Sequence, residues 1–367
     1  MLILFVVFCA AVGIQIIFFV TFLSVLNRKR ESKMKASFPV SVIVCAHDEE
    51  QNLRELLPQL LAQDYDTFEI VIVNDRSNDG TYDFLLEQTK LDPRVKMVTV
   101  ESLPVHVNGK KYALTLGIKA ASHEWILLTD ADCRPASTKW IASMSSHFSD
   151  ESHFVLGFSP YQATAGFLNK FIRFESLVTA IQYFSFAWLG NPYMGVGRNL
   201  AYRKSLFMEK KGFNTFLNVT GGDDDLFVNR HAKGETTFAE LRPESQMLSI
   251  PEKSLRSFYR QKVRHLSVGK RYKLKHRILL GVFTTTWLIA WFTGVAVLAL
   301  DFLTYWWVAP ILLTRIILLM FTIKTTAKQA QLTFELWTVP ILDFLYSIYY
   351  LSTGPVALLT KKIRWRN

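Results

Sequence analysis

Long apolar runs and short β-branched runs divide the chain into two kinds of segment. Leu2 to Leu26 is apolar except at Gln15, Thr21 and Ser24. At about 1.5 Å per residue such a helix spans a hydrocarbon core of about 30 Å. The run is too long for a signal-peptide core, and no basic segment precedes it. Ile278 to Leu300 and Phe302 to Ile323 repeat the pattern, with Tyr305, Trp306 and Trp307 as an interfacial belt at the outer end of the third run. Arg315 falls inside the third run, where a charge is costly, so it is expected to face a partner helix or snorkel. Leu332 to Leu351 is also apolar but carries Glu335, Asp343 and Pro340. A fourth crossing would place Lys361, Lys362, Arg364 and Arg366 outside, against the positive-inside rule. An interfacial or re-entrant helix is therefore the expectation there.

Between the first two runs the period changes. Pro39 to Ala46, Phe68 to Asn74, Val95 to Val100 and Trp125 to Thr129 are short runs of the kind that form buried parallel strands. Helical spacing separates them, over Glu49 to Gln63, Thr81 to Lys90 and Lys110 to Ala121. The order βαβαβαβ predicts an α/β, doubly wound and mostly parallel sheet that binds its ligand at the carboxyl ends of the strands. No strand-to-helix turn carries GxGxxG or GxxxxGK[ST], so a dinucleotide fold and a P-loop are not expected.

Composition narrows the class. Half of the 367 residues are hydrophobic, which excludes a disordered chain. Three cysteines without CxxC spacing exclude a disulfide-stapled module, and Cys45 and Cys133 are expected as reduced thiols. Lys and Arg exceed Asp and Glu by 42 − 31 = 11. The excess crowds beside the apolar runs, at Arg28, Lys29, Arg30, Lys33 and Lys35 and over Ser254 to Arg277. That placement points to anionic headgroups or an anionic substrate rather than nucleic acid. It also puts residues 36–277 in the cytoplasm.

The chemistry is expected where strands stop. Strand 2 runs into Asn74-Asp75-Arg76-Ser77-Asn78-Asp79-Gly80, with Asp79 as helix cap and Asp75 as ligand. Strand 4 runs into Asp130-Ala131-Asp132, two carboxylates able to share a hard cation, Mg²⁺ or Mn²⁺, with substrate phosphates. Gly221-Gly222-Asp223-Asp224-Asp225 crowds three carboxylates before an apolar stretch. One is a candidate general base with its pKa raised by its neighbours, and one can cap a helix. In the basic stretch, Gln261 and Arg264 either face a diphosphate or share a helix held only by lipid charge.

PVSVIVCAHDEEQNL, IVIVNDRSNDGT, GKKYALTLGIKAA, LLTDADCRP, GGDDDLF and RQKVRH follow one another over residues 38–270. In that order they resemble the membrane-bound bacterial members of family 2 of the glycosyltransferases. The resemblance implies a GT-A fold, a nucleotide-diphosphate sugar donor, a divalent cation and inversion at the anomeric carbon. It implies that Ala46, Glu49 and Asp75 hold the nucleoside, and that Lys110 (or Lys111) lies near the diphosphate with Gln261 and Arg264. It makes Asp130 a ribose- and metal-side carboxylate, Asp132 the direct metal ligand, and Asp224 the base beside Asp223, with a register open by one. His265 stands where processive synthases carry Trp, which argues against processivity. Gly197, Arg198 and Asn199, with His265, are expected on the acceptor side. The aromatic segment Gly166 to Gly190 either guides a lipid acceptor or is core packing.

The expected organisation is a membrane helix over 1–27, a catalytic domain over 36–250, a basic interfacial helix over 251–277, a transmembrane hairpin over 278–323 and a third hydrophobic segment over 332–360. The expected activity is transfer to a membrane lipid or lipid-linked acceptor at the inner membrane. A processive polysaccharide synthase and an inactive membrane scaffold are the alternatives.

Overall fold

The computed structural model describes residues 1–28, 38–105 and 107–360. Lys29, Arg30, Lys33, Lys35, Lys361, Lys362, Arg364 and Arg366 lie outside the described residues. In chain order the elements are α1 (Leu2–Leu26), β1 (Val40–Ala46), α2 (Glu50–Leu61), β2 (Phe68–Asp75), α3 (Thr81–Leu91), β3 (Val95–Val100), α4 (Gly109–Ala120), β4 (Trp125–Asp130), β5 (Cys133–Pro135), α5 (Trp140–Ser145) and β6 (Phe154–Gly157). There follow α6 (Phe167–Trp188), β7 (Leu200–Arg203), α7 (Lys204–Glu209), α8 (Asp225–His231), β8 (Thr237–Glu240), β9 (Met247–Ser249), α9 (Leu255–Gly269), α10 (Leu274–Leu300), α11 (Phe302–Tyr305), α12 (Val308–Gln329) and α13 (Val339–Leu359). The described residues form two compact units, one of 38–164 and 186–251, the other of 1–28, 165–185 and 252–360.

The first unit is built on a seven-stranded sheet in the order β3-β2-β1-β4-β7-β6-β8. The four strands anticipated from the sequence are its parallel half. Register aligns their carboxyl ends: Ala46 pairs with Asn74, and Cys45 with Asp130. Asp75, the turn after Ala46 and the turn after Asp130 therefore leave the sheet along one edge. β7 runs antiparallel to β4, with Leu128 opposite Leu200. That reversal brings residues 197–199, which precede β7, to the same edge. Val40, Val42, Val44, Ile70, Ile72 and Leu127 share a buried core with the inner face of α2, Leu53, Leu56, Leu57 and Leu60. A methyl on Gly117 of α4 would come within 2.7 Å of Val73 and 2.9 Å of Ile43, so α4 lies hard against the sheet.

The second unit is helical. Among the described residues, α1, α10 and α12 are long and apolar enough to cross a membrane. Gln15 of α1 donates to Phe283 O and Thr286 Oγ1 of α10, each at 2.8 Å. Arg315 faces a partner helix, as a charge in that position requires. It forms an ion pair with Asp343 of α13, both residues fully buried, and lies 4.4 Å from the centre of the Trp287 ring. The segment after Gln331 is not helical at once. α13 starts only at Val339, with Pro340 in its first turn, because a proline's fixed φ and missing N–H suit a helix start. Phe171 and Phe174 of α6 pack edge-on against Tyr349 and Tyr346 respectively, which favours core packing for that aromatic segment. Phe258 of α9 is buried against Phe171 and Tyr349, so α9 docks on protein helices through its apolar face.

Candidate functional site

Two strand-end turns are laced together first. Asp79 Oδ1 accepts the Thr81 amide at 3.0 Å, capping α3, and its Oδ2 accepts the Glu50 amide at 3.1 Å. Thr81 Oγ1 takes the Glu49 amide at 3.1 Å, and Asp48 Oδ1 takes the Asn78 amide at 2.6 Å. His47 Nδ1 hydrogen-bonds the Asp75 carbonyl. These bonds hold the turn after β1 against the turn after β2. Asp75 itself is nearly buried, and its Oδ1 accepts from Arg76 Nε at 2.8 Å. Arg76 sits in the left-handed region, at φ 57°. The Ala46 methyl belongs to the core, so only its backbone can face a ligand.

Lys110 joins the next two clusters. Its Nζ lies 2.8 Å from Asp130 Oδ1 and 3.8 Å from Asp223 Oδ2. Burial alone would lower the pKa of Lys110, but the charges of Asp130 and Asp223 outweigh it and hold the ammonium on. Lys111 is turned away. It is fully buried, donates to the carbonyls of Val219 and Gly221, and is pushed below the ordinary lysine range by burial. Of the two lysines the sequence leaves open, Lys110 faces the carboxylates and Lys111 staples α4 to the loop before Asp223.

The acidic side is crowded. Asp132 is pushed above the ordinary carboxyl range by burial and then by Asp130, against the opposing charges of Arg198 and Lys110. Glu49 is pushed up by burial and by Asp132 and Asp130. Among the described residues no three His, Cys, Asp or Glu side chains are grouped to hold an ion by themselves. Asp130 and Asp132 nevertheless fit a hard cation that completes its shell with phosphate oxygens. Oxygen donors whose mutual repulsion raises a pKa are the kind of pair a divalent ion relieves.

Asp224 is both cap and candidate base. Its Oδ1 accepts the Asp225 amide at 2.7 Å at the start of α8, and its Oδ2 accepts the Gly197 amide at 2.7 Å. Its pKa is raised, by burial first and by Asp223 second, so desolvation outweighs the acidic neighbours invoked from the sequence. A β-carbon on Gly197 would stand 3.2 Å from Asp224 Oδ2.

Asn199 is a correction. It is fully buried, donates to the carbonyls of Phe158 and Ser245 at 2.7 Å each, and accepts from Trp140 Nε1 at 3.0 Å. Its amide clamps the sheet to neighbouring loops and is not offered to an acceptor. Arg198 lies over the Tyr161 ring, 4.7 Å from its centre. Gln261, Arg264 and His265 belong to α9 of the helical unit, where Arg264 Nη2 lies 3.5 Å from His265 Nε2. Between them Lys262 pairs with buried Glu175 of α6. Sequence reasoning missed Tyr161, Asn52 and Arg134, since no local pattern distinguishes a side chain that supports a site from one that does not.

Residues 41–209 match the family model described as glycosyl transferase family 2. An uncharacterized glycosyltransferase of Haemophilus influenzae is 32% identical over 114 residues, 31% of this chain and 34% of that protein. A probable glycosyltransferase of Bacillus subtilis, YdaM, is 30% identical over 189 residues, 50% of this chain and 44% of that protein. The chain thus spans about a third to under half of these relatives' lengths. In fold it is similar to the mannosyltransferase PcManGT from Pyrobaculum calidifontis, solved in complex with GDP-Man and Mn²⁺. The TM-score is 0.67 at 17% identity, covering 98% of this chain and 99% of that one. Residues 41–209 thus carry the match to glycosyl transferase family 2, and the strand order and the likeness to PcManGT give the chain a GT-A architecture.

Proposed function

We propose that this chain transfers a sugar from a nucleotide-diphosphate sugar to a membrane lipid or lipid-linked acceptor, with inversion at the anomeric carbon. The observation that carries the reading is that Lys110 Nζ lies 2.8 Å from Asp130 and 3.8 Å from Asp223 at one edge of the sheet, with Asp132 and Glu49 beside Asp130 and Asp224 beside Asp223. Clustered groups with shifted pKa values at strand ends mark a working site.

In this reading the Ala46 backbone, Glu49 and Asp75 hold the nucleoside, and Lys110 meets the diphosphate. Asp130 and Asp132 hold Mg²⁺ or Mn²⁺, which supplies electrostatic relief for charge on the departing diphosphate. The binding of GDP-Man and Mn²⁺ by the similar fold of PcManGT supports that assignment. Asp224 takes the acceptor hydroxyl's proton as its oxygen attacks the anomeric carbon from the face opposite the phosphate. The new C–O bond forms as the bond to the phosphate oxygen breaks, and the nucleoside diphosphate leaves. Asp223 supports Asp224 through its charge, and Gly197 through its amide. Arg198 lines the acceptor side.

The three long apolar helices suit an acceptor that lives in the bilayer. We place the catalytic domain, residues 36–250, in the cytoplasm, with 1–27 and 278–323 crossing the inner membrane, 251–277 at its surface and 332–360 as the further hydrophobic segment. Cysteine labelling at exposed Leu359 tests this arrangement, and reaction only from outside the cell would overturn it. For the activity, detergent-purified protein is incubated with Mn²⁺, a panel of UDP- and GDP-sugars and a lipid extract. Sugar in the organic phase, lost in Asp224→Asn, is the expected result. Polymeric product would favour a processive synthase. Donor binding without turnover would favour a binding role.

A further inference from the structure

Arg134 lies outside the reading above, yet it bonds the Asp130–Asp132 turn directly and reaches Glu49 through Asn52. It is held on β5, where it pairs with Leu248 of β9, and it is 8% exposed. Its Nη1 donates to the carbonyls of Ala131, at 3.0 Å, and Cys133, at 2.8 Å. Ala131 is the middle residue of Asp130-Ala131-Asp132, so fixing its carbonyl fixes the backbone from which both carboxylates project. The other nitrogen, Nη2, donates to Asn52 Oδ1 at 3.1 Å and Glu55 Oε2 at 2.8 Å on α2. Asn52 has its oxygen occupied by Arg134 and turns its nitrogen to Glu49, donating to Oε2 at 2.6 Å. An unbroken chain of hydrogen bonds therefore runs from the Asp130–Asp132 turn through one guanidinium to Glu49, whose carboxylate feels the charges of Asp132 and Asp130. The two terminal nitrogens of the guanidinium reach four acceptors, on the turn and on α2, in one fixed fork, a span that a lysine's compact ammonium does not cover.

We propose that Arg134 is a positioning residue that sets the spacing between Glu49 and the Asp130–Asp132 turn, and so controls the cation-dependent part of nucleotide-diphosphate binding. This rests on the assignment of Asp130 and Asp132 to a divalent ion beside a donor nucleotide. Residues behind first ligands commonly change metal affinity about 10–100-fold when replaced.

The test is calorimetric titration of the full chain in detergent with UDP and GDP, each with and without Mn²⁺, for the wild type, Arg134→Lys and Asn52→Ala. The wild type is expected to bind one of the two more tightly with Mn²⁺. Arg134→Lys should lose about tenfold or more of that gain, a larger factor than any change in its Mn²⁺-free affinity. Asn52→Ala, which keeps the guanidinium clamp on Ala131 but releases Glu49, should lose a smaller share. A folded Arg134→Lys with the full Mn²⁺ gain overturns the proposal. If Arg134→Lys does not fold, the full gain in Asn52→Ala overturns it instead. No Mn²⁺ gain in the wild type would remove the metal assignment itself, and this inference with it.

Discussion

The Gly197 amide donates to Asp224 Oδ2 at 2.7 Å, so backbone and not side chain aims the proposed base. A methyl on Gly197 would press on Asp224 Oδ2 at 3.2 Å and on its Cβ at 3.3 Å. Asp224 is also tied to the Asp225 amide and has little freedom to give. Gly197→Ala should lower kcat about 10- to 100-fold, the scale of a small misplacement of a reacting group. The KM for the donor should change little. A raised donor KM with unchanged kcat would show that the turn serves donor binding instead.

Replacing Asp224 by Asn removes the base and should cost about 10²–10⁴-fold in kcat. It should leave UDP or GDP binding intact in the same titration used for Arg134.

The raised pKa of Asp224 has two consequences with opposite pH sense. The folded chain holds this proton more tightly than the unfolded chain, so stability falls as pH rises from the ordinary carboxyl value through the raised one. Asp224→Asn should therefore melt higher than the wild type at neutral pH, with the difference closing in acid. Activity needs the ionised form and rises over the same window. Because Asp223 is the second cause of the shift, Asp223→Asn should move the acid limb of kcat/KM to lower pH. An unmoved limb would assign it to another group.

Lys262 and Glu175 form a buried ion pair between α9 and α6, with the two side chains 9% and 6% exposed. Lys262→Met strands the carboxylate and should cost about 3–5 kcal/mol. Adding Glu175→Gln should recover most of that loss in denaturant melts in detergent. Equal melts for the single and double variants would mean that the pair is not coupled.

Much of this protein is written in local pattern. The runs at Val40–Ala46 and Phe68–Asp75 are apolar and β-branched on both faces, which suits a strand covered on both sides, and their ends carry the carboxylates of the site. The periodic leucines of α2 and the apolar runs of α1, α10 and α12 are equally local. What the tertiary structure decided depends on partners far along the chain. β6, β7 and β8 are only four residues each, too short for a period to show, and the antiparallel β7 brings Gly197 to Asp224. Lys110 and Lys111 are equivalent in sequence. One helix residue turns a side chain by about 100°, and the close fit of Gly117 on Val73 and Ile43 fixes that rotation. Asn199 reads as a loop residue, but Phe158, Ser245 and Trp140 enclose it. Arg134 reads as a basic residue after an acidic turn, and only the approach of α2 gives its second nitrogen Asn52 and Glu55 to hold. Hydrophobic period is set by neighbours in sequence, whereas these hydrogen bonds form only after the chain has closed loops of tens of residues, and no local pattern encodes them.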